Sequence, residues 1–264
     1  MAKKKKISAE VISQSLLAEG VMDLRLGCSL AEDAKPGQFV GIFPKNKSTL
    51  LPRPISICDY DVNEQTLRIV YRIVGSGTAE FSLYHKGDSV DVLGVLGNGF
   101  PLEKADGKKV LIIGGGIGVP PLLGLSKALN NVEAKPAEIN MVMGYRDSEN
   151  FLAEEFKNYG NLYIATEDGS VGTKGNVIDA CKAEGIKADV IYACGPMPML
   201  RGVKAYAEEI GAKAYLSLEE RMACGVGACL GCICKTKNVD EHSHVNNARI
   251  CTDGPVFDAD DLDM

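Results

Sequence analysis

Four cysteines near the end of the chain have the spacing of an iron–sulfur ligand set. Cys224, Cys229 and Cys232 lie in one short run, and Cys251 follows after eighteen intervening residues. The pattern C-x4-C-x2-C…C is typical of a plant-type [2Fe-2S] centre, in which a tight loop wraps three thiolates around the cluster and a distant fourth closes it. A centre of this kind carries single electrons.

Glycines alternate with these cysteines at Gly225, Gly227 and Gly231. Because glycine adopts left-handed backbone conformations at little cost, we expect all three positions to let the loop turn sharply. Backbone N–H groups would then point at the sulfurs and raise the reduction potential of a bound cluster.

Zinc is the main alternative, since four thiolates also make a closed tetrahedral zinc site. Zinc ribbons favour paired C-x2-C units, whereas the second half here has one cysteine unless Cys234 is recruited and Cys251 is left over. Disulfides are disfavoured because the nine cysteines are an odd number and no secretory signal pattern is present. We interpret Cys28, Cys58 and Cys181 as buried apolar thiols.

Composition argues against several classes of function. The 264 residues carry a net charge of -6, which argues against a nucleic-acid surface. The longest apolar run, residues 110–125, is interrupted by five glycines and two prolines and predicts no membrane span. His242 and His244 lie on a polar stretch and are interpreted as solvated. We expect a cytoplasmic protein.

The chain divides by pattern into three parts, which we predict to be domains at residues 1–104, 105–218 and 219–264. The first part has short β-type segments at 39–43, 55–58, 66–74 and 89–93, separated by turn residues, and predicts an antiparallel barrel. The second alternates apolar strands at 110–113, 138–143, 162–165 and 190–194 with helical patterns, and predicts a doubly wound, mostly parallel sheet. The tail is expected to need its cluster to fold.

A glycine-rich turn directly follows the strand at 110–113. It contains Gly114, Gly115, Gly116, Gly118 and Pro120. A turn of this kind between strand and helix exposes N–H groups to a dinucleotide pyrophosphate, although by itself it often marks only tight packing.

A second strand, at 190–194, ends in Cys194-Gly195-Pro196. In open α/β sheets, ligands lie at the carboxyl ends of the strands, so we expect this motif to lie beside the glycine turn. A plain buried thiol is the alternative for Cys194.

In the first part, Arg53, Pro54, Ile55 and Ser56 stand at the entrance to a β segment. The planar guanidinium of arginine suits a pyrophosphate. A solvated loop charge is the alternative for Arg53.

These three motifs, in this order, resemble the ferredoxin-NADP reductase superfamily, with its flavin-binding barrel, nucleotide turn and Cys-Gly-Pro near the nicotinamide. Leu-Gly-Asn-Gly-Phe-Pro at 96–101 and the cysteine-rich tail from Glu219 resemble, within it, the family of electron-transfer subunits of dihydroorotate dehydrogenase B. The resemblance covers nearly the whole chain. Ile55 stands where the wider superfamily commonly has a tyrosine, so aromatic stacking on the flavin by that residue is lost.

The resemblance implies the cofactors FAD, a [2Fe-2S] cluster and NAD. Arg53 would hold the FAD pyrophosphate, Pro54 and Ile55 would shape the flavin wall, and Ser56 would lie near the reactive edge of the flavin. Further contacts to FAD are implied at Val70, Tyr71, Arg72, Gly77 and Thr78, with Thr78 as a helix cap. NAD(H) would bind at Gly114, Gly115, Gly116, Gly118, Pro120, Gly195 and Pro196. Cys194 would lie close to the nicotinamide. Thr166, Glu167 and Asp168 would lie near the adenosine. Because Arg146 carries a positive charge, NADP(H) remains an alternative to NAD(H) as the bound nucleotide.

The resemblance also implies an oxidoreductase in which NAD exchanges hydride with FAD, and FAD exchanges single electrons with the cluster. The partner would be an FMN-containing catalytic subunit that oxidises dihydroorotate in pyrimidine (UMP) biosynthesis, in a heterotetramer of two of each. We expect it to cover the cluster tail, so that Val226 and Leu230 are exposed in the isolated chain. The alternatives are a reductase subunit of the sulfide dehydrogenase or transhydrogenase-like kind, whose first cluster ligand tends to be Asp, and a zinc-stabilised binding module.

Overall fold

Short alternating segments in the first part of the chain close into an antiparallel barrel in the computed structural model, which describes residues 4–46, 48–240 and 244–264. The barrel strands are β1 (Lys5–Ala18), β2 (Val21–Gly27), β3 (Phe39–Phe43), β4 (Arg53–Asp61), β5 (Thr66–Arg72) and β6 (Ser89–Leu96). They close in the order β1-β2-β5-β4-β3-β6. The predicted barrel is confirmed.

Alternation along the strands fills the barrel interior. On β2 and β5, Leu24 lies opposite Ile69 and Leu26 lies opposite Leu67, and all four are fully buried. Cross-strand apolar pairs of this kind stabilise a sheet and exclude water from the barrel. Helix α1 (Ser76–Phe81) follows β5 and buries Phe81 against this interior.

The middle of the chain alternates strands with helices. The strands are β7 (Lys109–Gly115), β8 (Glu138–Tyr145), β9 (Asn161–Thr166), β10 (Thr173–Lys174), β11 (Val190–Cys194) and β12 (Lys213–Ser217), and the helices are α2 (Pro120–Asn131), α3 (Ala153–Phe156), α4 (Val177–Ala183) and α5 (Met197–Ile210). All six strands pair in parallel, in the order β10-β9-β8-β7-β11-β12. The predicted doubly wound sheet is confirmed. Within the described ranges, no helix combines the length and the apolar character that a membrane span requires.

Three short strands lie in the described part of the tail. The strands β13 (Ile233–Lys235) and β14 (Asn247–Arg249) form an antiparallel hairpin between the third and fourth cysteines of the ligand set. The strand β15 (Val256–Asp258) adds to the large sheet, antiparallel to β12. The domain division at 218/219 stays a prediction, and this pairing ties the third part to the second. His242 lies outside the described residues.

The barrel and the large sheet meet through helix α2. A Cβ atom on Gly124 of this helix would lie 2.7 Å from the backbone oxygen of Cys58 on β4, so the helix packs directly on the strand backbone. Lys127 of the same helix pairs with Asp59 at 2.9 Å. Close backbone packing supported by an ion pair sets the orientation of one part against the other.

Candidate functional site

Arg53 opens β4 and lies against the first turn of helix α1. A Cβ on Gly77 would lie 2.7 Å from the Nε of Arg53, so only glycine leaves room for the guanidinium there. The Nη1 of Arg53 donates to the backbone oxygen of Leu51 at 2.6 Å, which fixes the side chain. A cation beside the exposed N–H groups of a helix start fits a pyrophosphate.

The start of this helix differs from the expectation. Helix α1 begins at Ser76 with Gly75 as its N-cap, so Gly77 and Thr78 are its second and third residues, and Thr78 is not the cap. The Thr78 hydroxyl instead accepts the backbone N–H groups of Val74 and Gly75 at 3.0 and 3.2 Å. Thr78 therefore holds the segment before the helix and leaves the first-turn amides free for a ligand.

Pro54, Ile55 and Ser56 lie half-buried on β4, opposite Gly41, Val40 and Phe39 of β3. Their partial exposure, on a strand that begins at Arg53, fits a wall for the flavin ring.

The second flavin segment, on β5, differs from the expectation in its side chains. Tyr71 points into the barrel, where burial raises the pKa of its hydroxyl and the hydroxyl donates to Gln14 at 3.0 Å. Val70 is buried in the core shared with the large sheet, and Arg72 is half-buried. Strand alternation turns the Tyr71 side chain away, so its backbone alone is available to a ligand.

The glycine turn at the end of β7 lies beside the end of β11. Gly114 pairs with Cys194 in parallel register. A Cβ on Gly118 would lie 2.4 Å from the backbone oxygen of Cys194, and one on Gly115 would lie 2.5 Å from the Sδ of Met199. The expected adjacency of the two motifs is confirmed, and it rests on glycines that any side chain would push apart.

The turn also has the geometry of a nucleotide-binding start to a helix. Gly116 has a φ of +54°, which favours glycine, and Pro120 stands at the start of α2. Proline is favoured there because its missing N–H removes no helical hydrogen bond. The short turn between these residues leaves backbone N–H groups at the carboxyl edge of the sheet, where a dinucleotide would bind.

Cys194 is a neutral thiol at this edge. Burial raises its pKa to about 12, against the opposing effect of a hydrogen bond with Ser217 on β12. A protonated thiol is a poor nucleophile, so the geometry gives Cys194 no covalent role at this edge. Ser217 was not identified from the sequence, because its contact with Cys194 depends on β11 and β12 being neighbours.

The residues expected near the adenosine differ in burial and in hydrogen bonding. The Thr166 hydroxyl is buried and donates to the backbone oxygen of Val171 at 2.8 Å, so this hydroxyl is turned into the protein, and a contact of Thr166 with a nucleotide stays a prediction. The Asp168 carboxylate accepts the hydroxyl and the backbone N–H of Ser170, and these bonds lower its pKa. Glu167 and Arg146 are exposed near the same strand end.

The four cysteines of the ligand set lie together in two pairs. Cys229 lies beside Cys224, and Cys232 lies beside Cys251. In the described part of the chain, no three Cys, His, Asp or Glu side chains converge as around a single metal ion. Two pairs of thiols fit a cluster with two irons, each iron taking two thiolates.

The loop around Cys224 is built to hold a thiolate. Burial raises the pKa of Cys224, but hydrogen bonds from the Val226 amide, from Cys229 and from the Ala228 amide outweigh it and lower the pKa to about 6. The two amides donate to its sulfur at 3.4 and 3.3 Å. Amides aimed at sulfur stabilise the deprotonated form that binds iron.

Two of the three glycines expected to turn this loop do so. Gly225 and Gly227 have φ values of +67° and +86°. Gly231 has no positive φ, and the left-handed position falls instead on Leu230, with a φ of +56°. The expectation for Gly231 is therefore corrected: the turn occurs one residue earlier and is made by a residue that carries a side chain.

The surface of the loop is apolar. Val226 is 39% exposed and Leu230 is 58% exposed, which confirms the expected exposure. Beside Leu230 lies a depression of about 310 Å³, lined also by Ala228, Arg249 and Asp253. An apolar rim of this kind around a redox site is typical of a protein–protein contact.

Two family models match the regions that contain the cluster loop and the nucleotide turn. The family model described as "Iron-sulfur cluster binding domain of dihydroorotate dehydrogenase B" matches residues 219–263, and the model described as "Oxidoreductase NAD-binding domain" matches residues 112–205. The chain thus has a cluster-binding domain and an NAD-binding domain of an oxidoreductase.

Similarity to a solved structure extends over almost the whole fold. The structure described as an NADH-dependent reduced ferredoxin-NADP oxidoreductase, studied for flavin-based electron bifurcation, superimposes with a TM-score of 0.84 at 31% identity, covering 97% of this chain and 89% of that one. A flavohemoglobin from Malassezia yamatoensis superimposes with a TM-score of 0.66 at 18% identity, covering 78% of this chain and 57% of that one, which shows a shared fold.

Curated relatives named "Dihydroorotate dehydrogenase B (NAD(+)), electron transfer subunit" match along the full length. The relative from Listeria innocua is 44% identical over 97% of this chain and 98% of its own length. The relative from Bacillus caldolyticus is 44% identical over 96% of each chain. The resemblance, the fold class and the cofactor set of FAD, [2Fe-2S] and NAD expected from the sequence are thereby confirmed at the level of the family. The chain belongs to the family of electron-transfer subunits of dihydroorotate dehydrogenase B.

Proposed function

We propose that this chain passes electrons from an FMN-containing catalytic subunit, which oxidises dihydroorotate to orotate, to NAD⁺. When bound, FAD supplies hydride exchange with NAD and single-electron exchange with the [2Fe-2S] cluster. The protein binds and orients these groups.

The observation that carries the proposal is the packing between the flavin wall and the cluster ligands. Phe39 lies opposite Ser56 on the neighbouring strand. Phe39 also belongs to one buried core with Leu96, Cys232 and Cys251. Phe39 also pairs with Leu96 of β6, and a Cβ on Gly225, next to Cys224, would lie 3.2 Å from the Leu96 side chain. The cluster loop thus packs against the barrel beside the strand that would contact the flavin.

The residues proposed to hold each group follow from the site geometry. Arg53, Gly77 and the first turn of α1 hold the FAD pyrophosphate, and residues 54–56 with the backbone of residues 70–72 form the flavin wall. Gly114, Gly115, Gly116, Gly118 and Pro120 bind NAD, with Cys194, Gly195 and Pro196 at the nicotinamide end. Cys224 and Cys229 bind one iron, and Cys232 and Cys251 bind the other.

An anaerobic titration of the purified protein with NADH tests this proposal. We expect the flavin absorbance to bleach and a reduced [2Fe-2S] signal to appear in electron paramagnetic resonance. Arg53→Ala should lose FAD, whereas Arg25→Ala, at an exposed position on β2, should retain it. A protein that binds zinc, shows no flavin absorbance and gives no resonance signal would overturn the proposal.

The partner is the second part of the proposal. Family membership implies a catalytic partner subunit. We propose that this partner contains FMN, assembles as two catalytic and two electron-transfer subunits, and works in pyrimidine biosynthesis. Mass measurement of the co-expressed complex, with flavin analysis, tests the stoichiometry. NADH-driven reduction of orotate by the complex tests the reaction.

A related NAD(P)H reductase subunit is the second candidate, favoured by the 31% identity to the NADH-dependent ferredoxin-NADP oxidoreductase. In that case the reduced chain would transfer electrons to ferredoxin faster than to the dihydroorotate dehydrogenase partner. We also propose a cytoplasmic location, because nine free cysteines and an iron–sulfur centre suit a reducing compartment.

A further inference from the structure

Asn98 joins the barrel to the segment that follows Cys251. Its side-chain Nδ2 donates to the backbone oxygens of Asp253 and Val256 at 3.0 and 2.8 Å, and its Oδ1 accepts the Val256 N–H at 3.0 Å. Its own backbone N–H donates to the oxygen of Gly254 at 2.6 Å. Each donor and acceptor of the amide side chain is therefore directed at this one segment.

The segment held by Asn98 is continuous with a cluster ligand. The Asp253 N–H donates to the backbone oxygen of Arg249 at 2.8 Å, and the Asp253 carboxylate accepts the Arg249 N–H at 2.8 Å. The Ile250 N–H donates to the backbone oxygen of Cys232 at 2.8 Å. These bonds close the short loop that contains Cys251, so a displacement at residue 253 moves two ligands of the set.

The other side of Asn98 is continuous with the flavin wall. A Cβ on Gly97 would lie 2.5 Å from Pro255 and 3.0 Å from the Phe39 ring, so the loop lies directly between them. The Gln38 side chain donates to the backbone oxygen of Gly97 at 2.9 Å. Gln38 precedes Phe39, which lies opposite Ser56.

We propose that Asn98 is a positioning residue for electron transfer, which fixes the loop of Cys251 at a set distance from the flavin wall. The proposal rests on the proposed function, since it assumes FAD at residues 53–56 and the cluster at the four cysteines. Asn98 itself is exposed, so it contributes to alignment without contributing to the core. An amide is required because the site presents two carbonyl acceptors and one N–H donor, which neither a carboxylate nor an alkyl group satisfies.

The test compares Asn98→Ala and Asn98→Asp with Asn130→Ala in the anaerobic protein mixed rapidly with NADH. Asn130 is a matched control, because its Nδ2 donates to two backbone oxygens at 2.9 Å, within the large-sheet part. Flavin bleaching is followed by absorbance, and cluster reduction by freeze-quenched paramagnetic resonance. Iron content and the cluster potential are measured on the same samples.

We expect flavin bleaching at the rate of the unsubstituted protein in all three variants. Cluster reduction should slow severalfold in both Asn98 variants, because the rate of electron tunnelling falls exponentially with the distance between flavin and cluster. It should be unchanged in Asn130→Ala, and iron content and potential should not change in any variant. Asn98→Ser, which keeps one hydroxyl donor, should recover part of the rate of cluster reduction. If Asn98→Ala loses FAD, Asn98→Ser takes its place in the comparison.

The positioning role would be overturned if the Asn98 variants reduced the cluster at the rate of the unsubstituted protein. It would also be overturned if the slower reduction came with loss of iron or a shifted cluster potential. Failure of the proposed function is distinguishable, because the unsubstituted protein would then show no cluster reduction by NADH at all.

Discussion

Arg68 of the barrel reaches Glu155 of helix α3 with both arms of its guanidinium, at 2.6 Å from Nη1 to Oε2 and 2.9 Å from Nη2 to Oε1. Its Nε and Nη2 also donate to Asp23. Arg68 and Asp23 are both buried, so one cation joins two carboxylates from the two halves of the flavoprotein.

Arg68→Ala should lower the free energy of unfolding by about 3–5 kcal/mol, because it leaves the Asp23 charge buried without a partner. Urea denaturation followed by circular dichroism measures this. Lys157→Ala removes the exposed pair with Glu154 and should change stability by about 0–1 kcal/mol. Equal effects of the two substitutions would contradict the structural role of Arg68.

Gly118→Ala should impair NADH binding and leave FAD bound. Its Cβ would lie 2.4 Å from the backbone oxygen of Cys194, which cannot rotate away as a side chain can. Overpacking of this kind costs about 1–3 kcal/mol, so NADH affinity should weaken by about fivefold to about a hundredfold, since each step of about 1.4 kcal/mol is tenfold. Titration of flavin bleaching with NADH measures the affinity. Gly202→Ala on α5, where the nearest atom would be 3.6 Å away, should bind NADH normally.

Cys234→Ser should retain iron and sulfide, whereas Cys251→Ser should lose both. Cys234 lies on β13 opposite Ala248, outside the two pairs that the four ligand cysteines form. Cys251 is instead in contact with Cys232. Iron and acid-labile sulfide analysis separates the two. Loss of iron from Cys234→Ser would assign that residue to the ligand set.

Removal of the cluster should release the tail without releasing FAD. The described residues between 222 and 251 contain little regular structure beyond the hairpin. We therefore expect their order to depend on the bound cluster. Hydrogen exchange after anaerobic chelation should therefore accelerate in this range and remain slow in β2, β5 and β7. Unchanged exchange in residues 222–251 would show that the tail folds without its cluster.

Leu230→Asp should weaken assembly with the catalytic subunit, because it places a charge in the apolar rim around the cluster loop. Leu83→Asp provides the control: Leu83 is 70% exposed and Leu230 is 58% exposed, but Leu83 lies just beyond helix α1 on the barrel. Size-exclusion chromatography of the co-expressed subunits measures assembly. Equal assembly of both variants with the partner would place the interface elsewhere.

Local sequence patterns predicted four strands of the barrel and four of the large sheet, and the family resemblance implied the cofactor set. The strands at 39–43 and 190–194 begin and end where alternation and apolar runs predicted. The cysteine spacing and the two strand-end motifs identified the cluster and nucleotide sites, because a ligand loop or a phosphate turn is made by residues close together in the chain. Short-range stereochemistry, such as the φ of Gly116 and Gly225, can be inferred from residue type.

Tertiary structure decided which side chains are free to act. The Tyr71 hydroxyl is bonded to Gln14 and the Thr166 hydroxyl to Val171, so neither is available to a cofactor. The contacts of Asn98 with residues 253–256 and of Arg68 with Glu155 join positions far apart in the chain. No local pattern encodes such contacts, because they form only when packing of the core brings distant strands together and leaves each polar group to find a partner. The sequence by itself determined the cofactors and the order of the parts, and the folded packing determined the distance and the alignment between them.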